Sequence, residues 1–165
     1  MLKQIVAIWA EDEKHLIGKE NHLPWKLPKE LLHFKNSTMN QVLLMGRVTY
    51  EGMNKRLLPG RQTIILTHDS NYDAPGAIVL TSVSEVLEWF DKQDKTLFII
   101  GGASIYKLFE PYYDMIIQTK VHDVFDGDTY LPEIDFSVFT QIEELFYGKD
   151  SDNHHDFTIK RFKKK

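Results

Sequence analysis

The fold is decided by the stretch LFIIGGASIYKLFEP, residues 97–111. Its first four residues, 97–100, are all apolar, which predicts a strand buried on both faces of a sheet. Gly101 and Gly102 then break the run, and a helix-compatible segment continues until Pro111 stops it. A strand that leads directly into a helix is the repeating unit of a parallel sheet. This stretch therefore predicts an α/β fold.

The same alternation recurs on both sides of this stretch. The last third of the chain instead alternates apolar and polar residues with period two, which predicts an antiparallel hairpin. We expect one domain spanning residues 1–165, with a mostly parallel central sheet of about eight strands, an antiparallel C-terminal edge and helices on both faces. Strands are predicted at residues 5–10, 42–45, 63–66, 77–80, 97–100, 115–121, 141–146 and 156–162, helices at 28–38, 48–53, 83–90 and 103–110, and a loop at 11–25.

Composition narrows the class of protein. The chain has 165 residues, no cysteine, a net charge of −4 and a pI near 6.0. Without cysteine there are no disulfides or thiolate metal sites, and a reducing compartment, the cytoplasm, is expected. The acidic balance argues against a nucleic-acid partner. No apolar run approaches the ~20 residues that cross a membrane.

Three predicted strands end in residues that suit a phosphate group: Gly46-Arg47-Val48-Thr49, Leu66-Thr67-His68 and Gly101-Gly102-Ala103. Glycine lets backbone approach a ligand, a helix N-terminus offers free N–H groups, and arginine offers a fork of donors. Each segment alone is also typical of an ordinary turn. Because the carboxyl ends of parallel strands meet at one edge, the three together predict a ligand with several phosphates.

Glu30 falls in the first turn of the helix at 28–38, on the same face as Leu27 and Phe34. An acid in a first turn is favourable by ~0.3–1 kcal/mol, which accounts for most such glutamates. Burying an unpaired carboxylate in an apolar face, however, is very costly. Glu30 therefore either turns back to solvent or faces a cleft, where its two oxygens could grip two adjacent N–H groups of a heterocycle.

Other polar clusters are weaker candidates. Asp123, Asp126 and Asp128 lack the spacing of a calcium loop, and the His154-His155 pair has no third ligand, so no metal is expected. His33 is expected on the solvated side of its helix. The motifs of serine hydrolases and of phosphate-loop ATPases do not occur.

With these residues laid out, the chain resembles dihydrofolate reductase over nearly its whole length. The resemblance implies NADPH-dependent reduction of 7,8-dihydrofolate to 5,6,7,8-tetrahydrofolate, by hydride transfer from nicotinamide C4 to pterin C6, in support of one-carbon metabolism. The matching motifs are IVAIWAEDEKHLIGKENHLPWKLPKELLHFK (5–35), VLLMGRVTYEGM (42–53), LLPGR (57–61), TIILTH (63–68), FIIGGASIY (98–106) and FDGDTYLP (125–132).

The resemblance also implies a substrate site. The carboxylate of Glu30 would hold the pterin 2-amino group and N3, the Thr119 hydroxyl would bond that carboxylate, and Trp25 would organise a water. Arg61 would pair with the glutamate α-carboxylate of folate. The remaining substrate contacts implied are Ile8, Trp9, Ala10, Leu31, Phe34, Met53 and Leu58.

The cofactor implied is NADPH. Arg47, Thr67 and His68 would meet its 2′-phosphate, a cis peptide is expected at Gly101-Gly102, and the loop at 14–23 would form a mobile lid. The full cofactor set implied is Ala10, Ile17, Gly18, Gly46, Arg47, Val48, Thr49, Leu66, Thr67, His68, Ile100, Gly101, Gly102, Ala103, Ser104, Ile105 and Tyr106.

Two other functions stay open at this point. One is a related pyrimidine reductase of riboflavin synthesis, which shares the architecture but lacks the need for Glu30 together with Arg61. The other is a non-catalytic pterin- or nucleotide-binding module. A monomer that binds antifolate inhibitors is the expectation under the resemblance.

Overall fold

A central sheet of eight strands organises the protein, whose computed structural model describes residues 2–165. The strands are β1 Ile5–Glu11, β2 Leu16–Gly18, β3 Val42–Gly46, β4 Gln62–Leu66, β5 Ile78–Leu80, β6 Leu97–Ile99, β7 Met115–Val121, β8 Thr129–Tyr130, β9 Phe139–Tyr147 and β10 Phe157–Lys164. The helices are α1 Pro28–Thr38, α2 Arg47–Gly52, α3 Val83–Asp91 and α4 Ala103–Leu108, with short 3-10 turns at Glu110–Tyr112 and Phe136–Val138.

The strand order in the sheet is β5-β4-β3-β6-β1-β7-β10-β9. The pairs from β5 to β7 are all parallel, and β10 is antiparallel to both β7 and β9. The predicted α/β fold, with a mostly parallel single-domain sheet and an antiparallel C-terminal hairpin, is confirmed. Across residues 2–165, the helices are too short or too polar to span a lipid bilayer.

Apolar cores cover both faces of the sheet. In β1, Ala7 and Trp9 belong to one core while Ile8 and Ala10 belong to the other, because successive strand side chains point to opposite faces. Helices α3 and α4 pack on the first core, and α1 and α2 pack on the second. Continuous apolar runs were therefore a sound basis for placing these strands.

The stretch at 11–25, expected to be a loop, carries regular structure at both its beginning and its middle. β1 continues through Glu11, and β2 pairs antiparallel with β8 in a separate two-stranded ribbon. Buried Asp12 supports this ribbon, since its carboxylate accepts from the backbone N–H groups of Leu16 at 2.9 Å and Phe125 at 2.9 Å. A three-residue strand has no periodicity to detect, and its partner lies about a hundred residues away.

His33 is not solvated as expected. Its Nε2 is enclosed and has no hydrogen-bond partner within residues 2–165. Burial, reinforced by the positive charge of Arg161, lowers the pKa of His33 to about 4, so the ring is neutral at pH 7. The covering residues come from the C-terminal hairpin, which the helix pattern alone could not reveal.

Gly127 lies so close to β2 that the β2–β8 ribbon has no room for a side chain at this position. A Cβ there would lie 2.6 Å from the carbonyl oxygen of Gly18 and 2.7 Å from a methyl group of Leu16. Gly127→Ala should push β2 away, speed amide hydrogen exchange in Leu16–Gly18, and cost about 1–3 kcal/mol of stability. The matched control is Gly148→Ala, whose nearest neighbour would be 3.8 Å away. Equal exchange in the two variants would contradict the close approach.

Candidate active site

A single large cleft of about 1390 Å³ runs along the carboxyl ends of the parallel strands. Nearly every residue that the resemblance implied lines it, which places them together without testing their roles. Two do not line it: Thr119 and Trp25. The predicted residues around the cleft are Ile8, Trp9, Ala10, Ile17, Gly18, Glu30, Leu31, Phe34, Gly46, Arg47, Val48, Thr49, Met53, Leu58, Arg61, Leu66, Thr67, His68, Ile100, Gly101, Gly102, Ala103, Ser104, Ile105 and Tyr106.

Helix α1 buries a carboxylate in place of apolar side chains. Its fully buried residues are Glu30 and Thr38, and Glu30 is 6% exposed. Leu31, which lines the cleft, is 58% exposed, and Phe34 is only half-buried. Leu31 and Phe34 therefore face an open cleft, as a ligand-binding surface requires, and the buried Glu30 lines the same cleft.

Thr119 on β7 is the side chain that meets Glu30. Its hydroxyl donates to Glu30 Oε1 at 3.2 Å, and this is the carboxylate's one hydrogen-bond partner within residues 2–165. The β1–β7 register sets Thr119 beside Ala10, so both side chains lie on the same face of the sheet. The small Ala10 leaves room above the pair, and Glu30 Oε2 stays available to a ligand.

The environment of Glu30 disfavours its ionised form. Burial raises the pKa of Glu30 to about 7, and the hydrogen bond from Thr119 opposes part of that rise. The negative charge of Glu30 in turn contributes, after burial, to raising the pKa of Tyr106. Near neutral pH this carboxyl group can therefore take up or release a proton, which is what acid–base chemistry at this pH requires.

Trp25 lines an adjoining cavity of about 430 Å³ that also reaches Glu30. Its indole is buried, and Nε1 has no hydrogen-bond partner within the described residues. A buried indole N–H normally finds a partner, so this donor suits a water or a ligand atom beside Glu30. The resemblance named Trp25, and the structure places it in the same cavity as Glu30.

The opposite end of the cleft suits phosphates. Helices α2 and α4 begin after Gly46 and Gly102, and neither glycine has a side chain to cap the helix, so first-turn N–H groups stay free for an anion. Gly101 has a φ of +121°, a region that only glycine adopts without strain, and the Gly101-Gly102 peptide is cis as expected. These residues fit a pyrophosphate group.

Cationic side chains flank both ends of the cleft. Arg47 is exposed at the phosphate end, where its Nη1 pairs with Glu51 Oε1 at 2.9 Å. Arg61 lies at the other end, donating to the Thr38 hydroxyl at 3.2 Å and to the Pro59 carbonyl at 3.0 Å. Both hydrogen bonds hold the Arg61 guanidinium in place while leaving further N–H donors for an anionic ligand.

Several residues that line the cleft were missed from the sequence. The N-terminus of α3 also follows the end of a strand, and its capping residue Ser82 is the signal that could have identified this part of the site. Ser82 Oγ accepts from the Glu85 backbone N–H at 3.1 Å. The Glu85 carboxylate accepts from the Thr81 backbone N–H rather than from that of Ser82. The missed lining residues are Lys35, Thr81, Ser82, Val83, Leu108 and Thr129, while Asn21, His22 and Leu23 belong to the predicted lid at 14–23 without having been named as site residues. Within residues 2–165 no group of three or more acidic, histidine or cysteine side chains is placed to hold a metal.

A cleft with a buried acid at one end and glycine-led helix starts that suit phosphates at the other is typical of an enzyme that uses a nucleotide cofactor. The family model for dihydrofolate reductase matches residues 4–164. The chain belongs to the dihydrofolate reductase family.

Individual relatives agree with the family model. The chain is 52% identical to a dihydrofolate reductase of Lactococcus lactis, over 97% of each chain, and 37% identical to one of Bacillus subtilis, over 98% of this chain and 95% of that one. Among solved structures, a dihydrofolate reductase from Enterococcus faecalis, complexed with NADP(H) and RAB-propyl, superimposes with a TM-score of 0.95 at 39% identity, over 99% of each chain.

The buried acid leads to a prediction for the ligand-free protein. The pKa of Glu30 is raised from 4.5 to about 7, so its stabilising contribution is full below pH 4.5 and is lost as pH rises through 7. The free energy of unfolding of Glu30→Gln, relative to that of the parent, should therefore rise by about 3 kcal/mol when the pH is raised from 4 to 8, as measured by urea unfolding. Thr119→Val removes the hydrogen-bond donor that opposes the rise in the pKa of Glu30. In this variant the loss of stability with rising pH should therefore extend to a higher pH than in the parent. If the free energy of unfolding changed with pH in the same way in Glu30→Gln and in the parent, the burial of the Glu30 carboxylate would be contradicted.

Proposed function

We propose that this protein reduces 7,8-dihydrofolate to 5,6,7,8-tetrahydrofolate with NADPH, and that Glu30 holds the pterin. The reaction follows from membership of the dihydrofolate reductase family. The observation that carries the role of Glu30 is a buried carboxylate facing the cleft with one oxygen free of protein partners. In this family context the free oxygen and its neighbour accept from the pterin 2-amino group and N3.

The rest of the substrate follows the open apolar face of α1. Leu31 and Phe34 from α1 and Met53 and Leu58 from the opposite wall line the cleft between Glu30 and Arg61. Apolar walls suit an aromatic ring, and the guanidinium fork of Arg61 suits the glutamate α-carboxylate. The acid and the arginine thus fix the two ends of an elongated ligand.

The cofactor occupies the other half of the cleft. When bound, NADPH supplies the hydride, which passes from nicotinamide C4 to pterin C6. The free N–H groups at the starts of α2 and α4 hold its pyrophosphate, while Arg47, Thr67 and His68 meet the 2′-phosphate. Ala10, Ile17 and Ile100 surround the nicotinamide, alongside the remaining predicted cofactor residues that line this half.

Glu30 and Trp25 manage the proton. With its pKa raised to about 7, Glu30 shares a proton with the pterin at neutral pH and favours the protonated ring. The free Nε1 of Trp25 orients a water near the pterin oxygen, beside Glu30, and proton delivery to pterin N5 uses water. The segment 14–23, anchored by the β2–β8 ribbon, closes over the nicotinamide and excludes bulk water.

We further propose a cytoplasmic monomer in which residues 1–165 form one domain that supports one-carbon metabolism. Absence of cysteine suits a reducing compartment. Antifolate inhibitors that carry an amidine-like edge bind the same acid, because Glu30 is the acceptor that such an edge requires.

The direct test mixes purified protein, NADPH and dihydrofolate and follows the loss of reduced-nicotinamide absorbance. We expect turnover with dihydrofolate and none with the pyrimidine substrate of riboflavin synthesis. If both ligands bind without turnover, the protein is a non-catalytic binding module. Turnover of the pyrimidine alone would assign it to the related reductase.

Glu30 should be required for the rate at neutral pH. Glu30→Gln keeps the size of the side chain but loses the acceptor charge, so we expect a loss of at least about a hundredfold in kcat/KM at pH 7. Glu30→Asp, which keeps the carboxylate one methylene shorter, is the control and should retain much more activity. A near-normal rate for Glu30→Gln, with folding checked by circular dichroism, would refute the role.

Arg47 should discriminate NADPH from NADH. Arg47→Ala removes a charge-assisted contact to the 2′-phosphate, so KM for NADPH should rise about tenfold or more while KM for NADH changes little. Lys107→Ala is the control. The Lys107 ammonium pairs with the Glu110 carboxylate at a distance of 2.8 Å, and this ion pair lies away from the cleft. Equal increases for both cofactors in Arg47→Ala would contradict the assignment.

A further inference from the structure

Helix α1 has an incomplete N-terminus of its own. Leu27 occupies the N-cap position and provides no side-chain hydrogen bond, and Pro28 follows it. The backbone N–H of Glu30 bonds the Leu27 carbonyl at 3.0 Å, but the N–H of Lys29 has no acceptor within the helix. The residue directly before the acid is thus left with an unsatisfied donor.

Asn153 supplies the missing acceptor from a distant part of the chain. Its Oδ1 accepts from the Lys29 backbone N–H at 3.0 Å, across 124 residues of sequence. Asn153 lies in the connection between β9 and β10 and is 2% exposed. Asparagine is among the best helix-capping residues, and here it caps a helix to which it does not belong.

The orientation of the Asn153 amide is determined by its surroundings. Its Nδ2 donates to Asp150 Oδ1 at 3.1 Å, and the same oxygen accepts from the backbone N–H groups of Asp152 and Asn153. Since the NH₂ group is engaged there, the amide oxygen is the atom that points to Lys29. A second contact, from His154 N to the Lys26 carbonyl at 3.4 Å, holds the chain just before the helix.

The same hairpin supports the other partner of the acid. β10 pairs with β7, and Ile159 lies beside Thr119 in that pairing. The block formed by β7, β10 and the β9–β10 connection therefore contacts Glu30 through the Thr119 hydroxyl and positions its helix through Asn153. If this block moved as a unit, the distance between helix α1 and the Thr119 hydroxyl would stay unchanged.

We infer that Asn153 is a positioning residue for Glu30: its side chain caps α1 in trans and holds the first turn, and with it the carboxylate, against Thr119. The inference rests on the proposed function only for its kinetic consequence. Without the cap, the first turn frays and water reaches the carboxylate, since end-of-helix hydrogen bonds are the ones that open first.

The test compares Asn153→Ala with two controls. Lys29→Ala removes the exposed ion pair of Lys29 with Asp150, at 3.0 Å, but keeps the capped backbone N–H. Gln41→Ala removes a different side-chain acceptor, that of the Thr96 N–H at 2.9 Å, where the chain enters the central strands β3 and β6. All variants are checked for folding by thermal melts. Gln41→Ala matches the loss of a tertiary hydrogen bond without touching the first turn of α1, since Gln41 lies beyond the other end of that helix.

We expect Asn153→Ala to lower kcat/KM for dihydrofolate about fivefold, as the typical strength of a cap implies, with KM for NADPH unchanged. Its pH–rate profile should shift to lower pH, because hydration of Glu30 removes the burial that raises its pKa. Asn153→Asp, which keeps an acceptor, should recover part of the rate. A parent-like profile and rate in Asn153→Ala, alongside a fall in melting temperature like that of Gln41→Ala, would overturn the inference.

A second readout does not depend on turnover. The carboxyl carbon of Glu30, titrated by NMR in the ligand-free protein, should show a lower pKa in Asn153→Ala than in the parent or in Lys29→Ala. If this shift appears but the parent does not reduce dihydrofolate, the positioning role stands and the proposed function fails. An identical Glu30 titration in Asn153→Ala and the parent would overturn the positioning role, whatever the activity.

Discussion

Burial of the Glu30 carboxylate with no ion pair to a cation of residues 2–165 is the constraint on which the cleft depends. An ionised carboxylate removed from water needs donors, and the described part of the chain provides one, the Thr119 hydroxyl. Because one donor does not replace the lost hydration of the carboxylate, the pKa of Glu30 is raised to about 7. A ligand with paired N–H groups, or a proton, satisfies it. The acid is costly to the ligand-free fold and useful to the complex, as expected of a preorganised site.

Two different kinds of recognition meet along one edge of the sheet. At the phosphate end, α2 and α4 begin at glycines without a side-chain cap, and under the proposed function their backbone N–H groups hold the pyrophosphate. At the pterin end, the proposed function assigns recognition of the ring to one side chain, that of Glu30. The parallel strands bring both ends to one cleft because all of them deliver their carboxyl ends to the same edge.

Prediction from the sequence worked where local pattern and tertiary role coincide. The strand at Met115–Val121 and the helix at Pro28–Thr38 have the bounds expected, since continuous apolar runs and a proline at a helix start carry their own signal. The β2–β8 ribbon and the enclosure of His33 were missed. Both depend on partners far along the chain, which no local period records. The site residues were named from ordered motifs, and their gathering round one cleft is a property of the fold.

The sequence by itself determined the α/β class, the strand exits that suit phosphates, the family and the position of an acid within an apolar helix face. It did so because side-chain periodicity and turn chemistry are local. The resemblance also implied that Thr119 is the partner of Glu30, and the structure shows that hydrogen bond; only the tertiary structure decided that Glu30 faces inward and that Asn153 caps its helix. Those facts depend on strand register and on a hairpin more than a hundred residues away, where packing rather than local preference sets which groups meet.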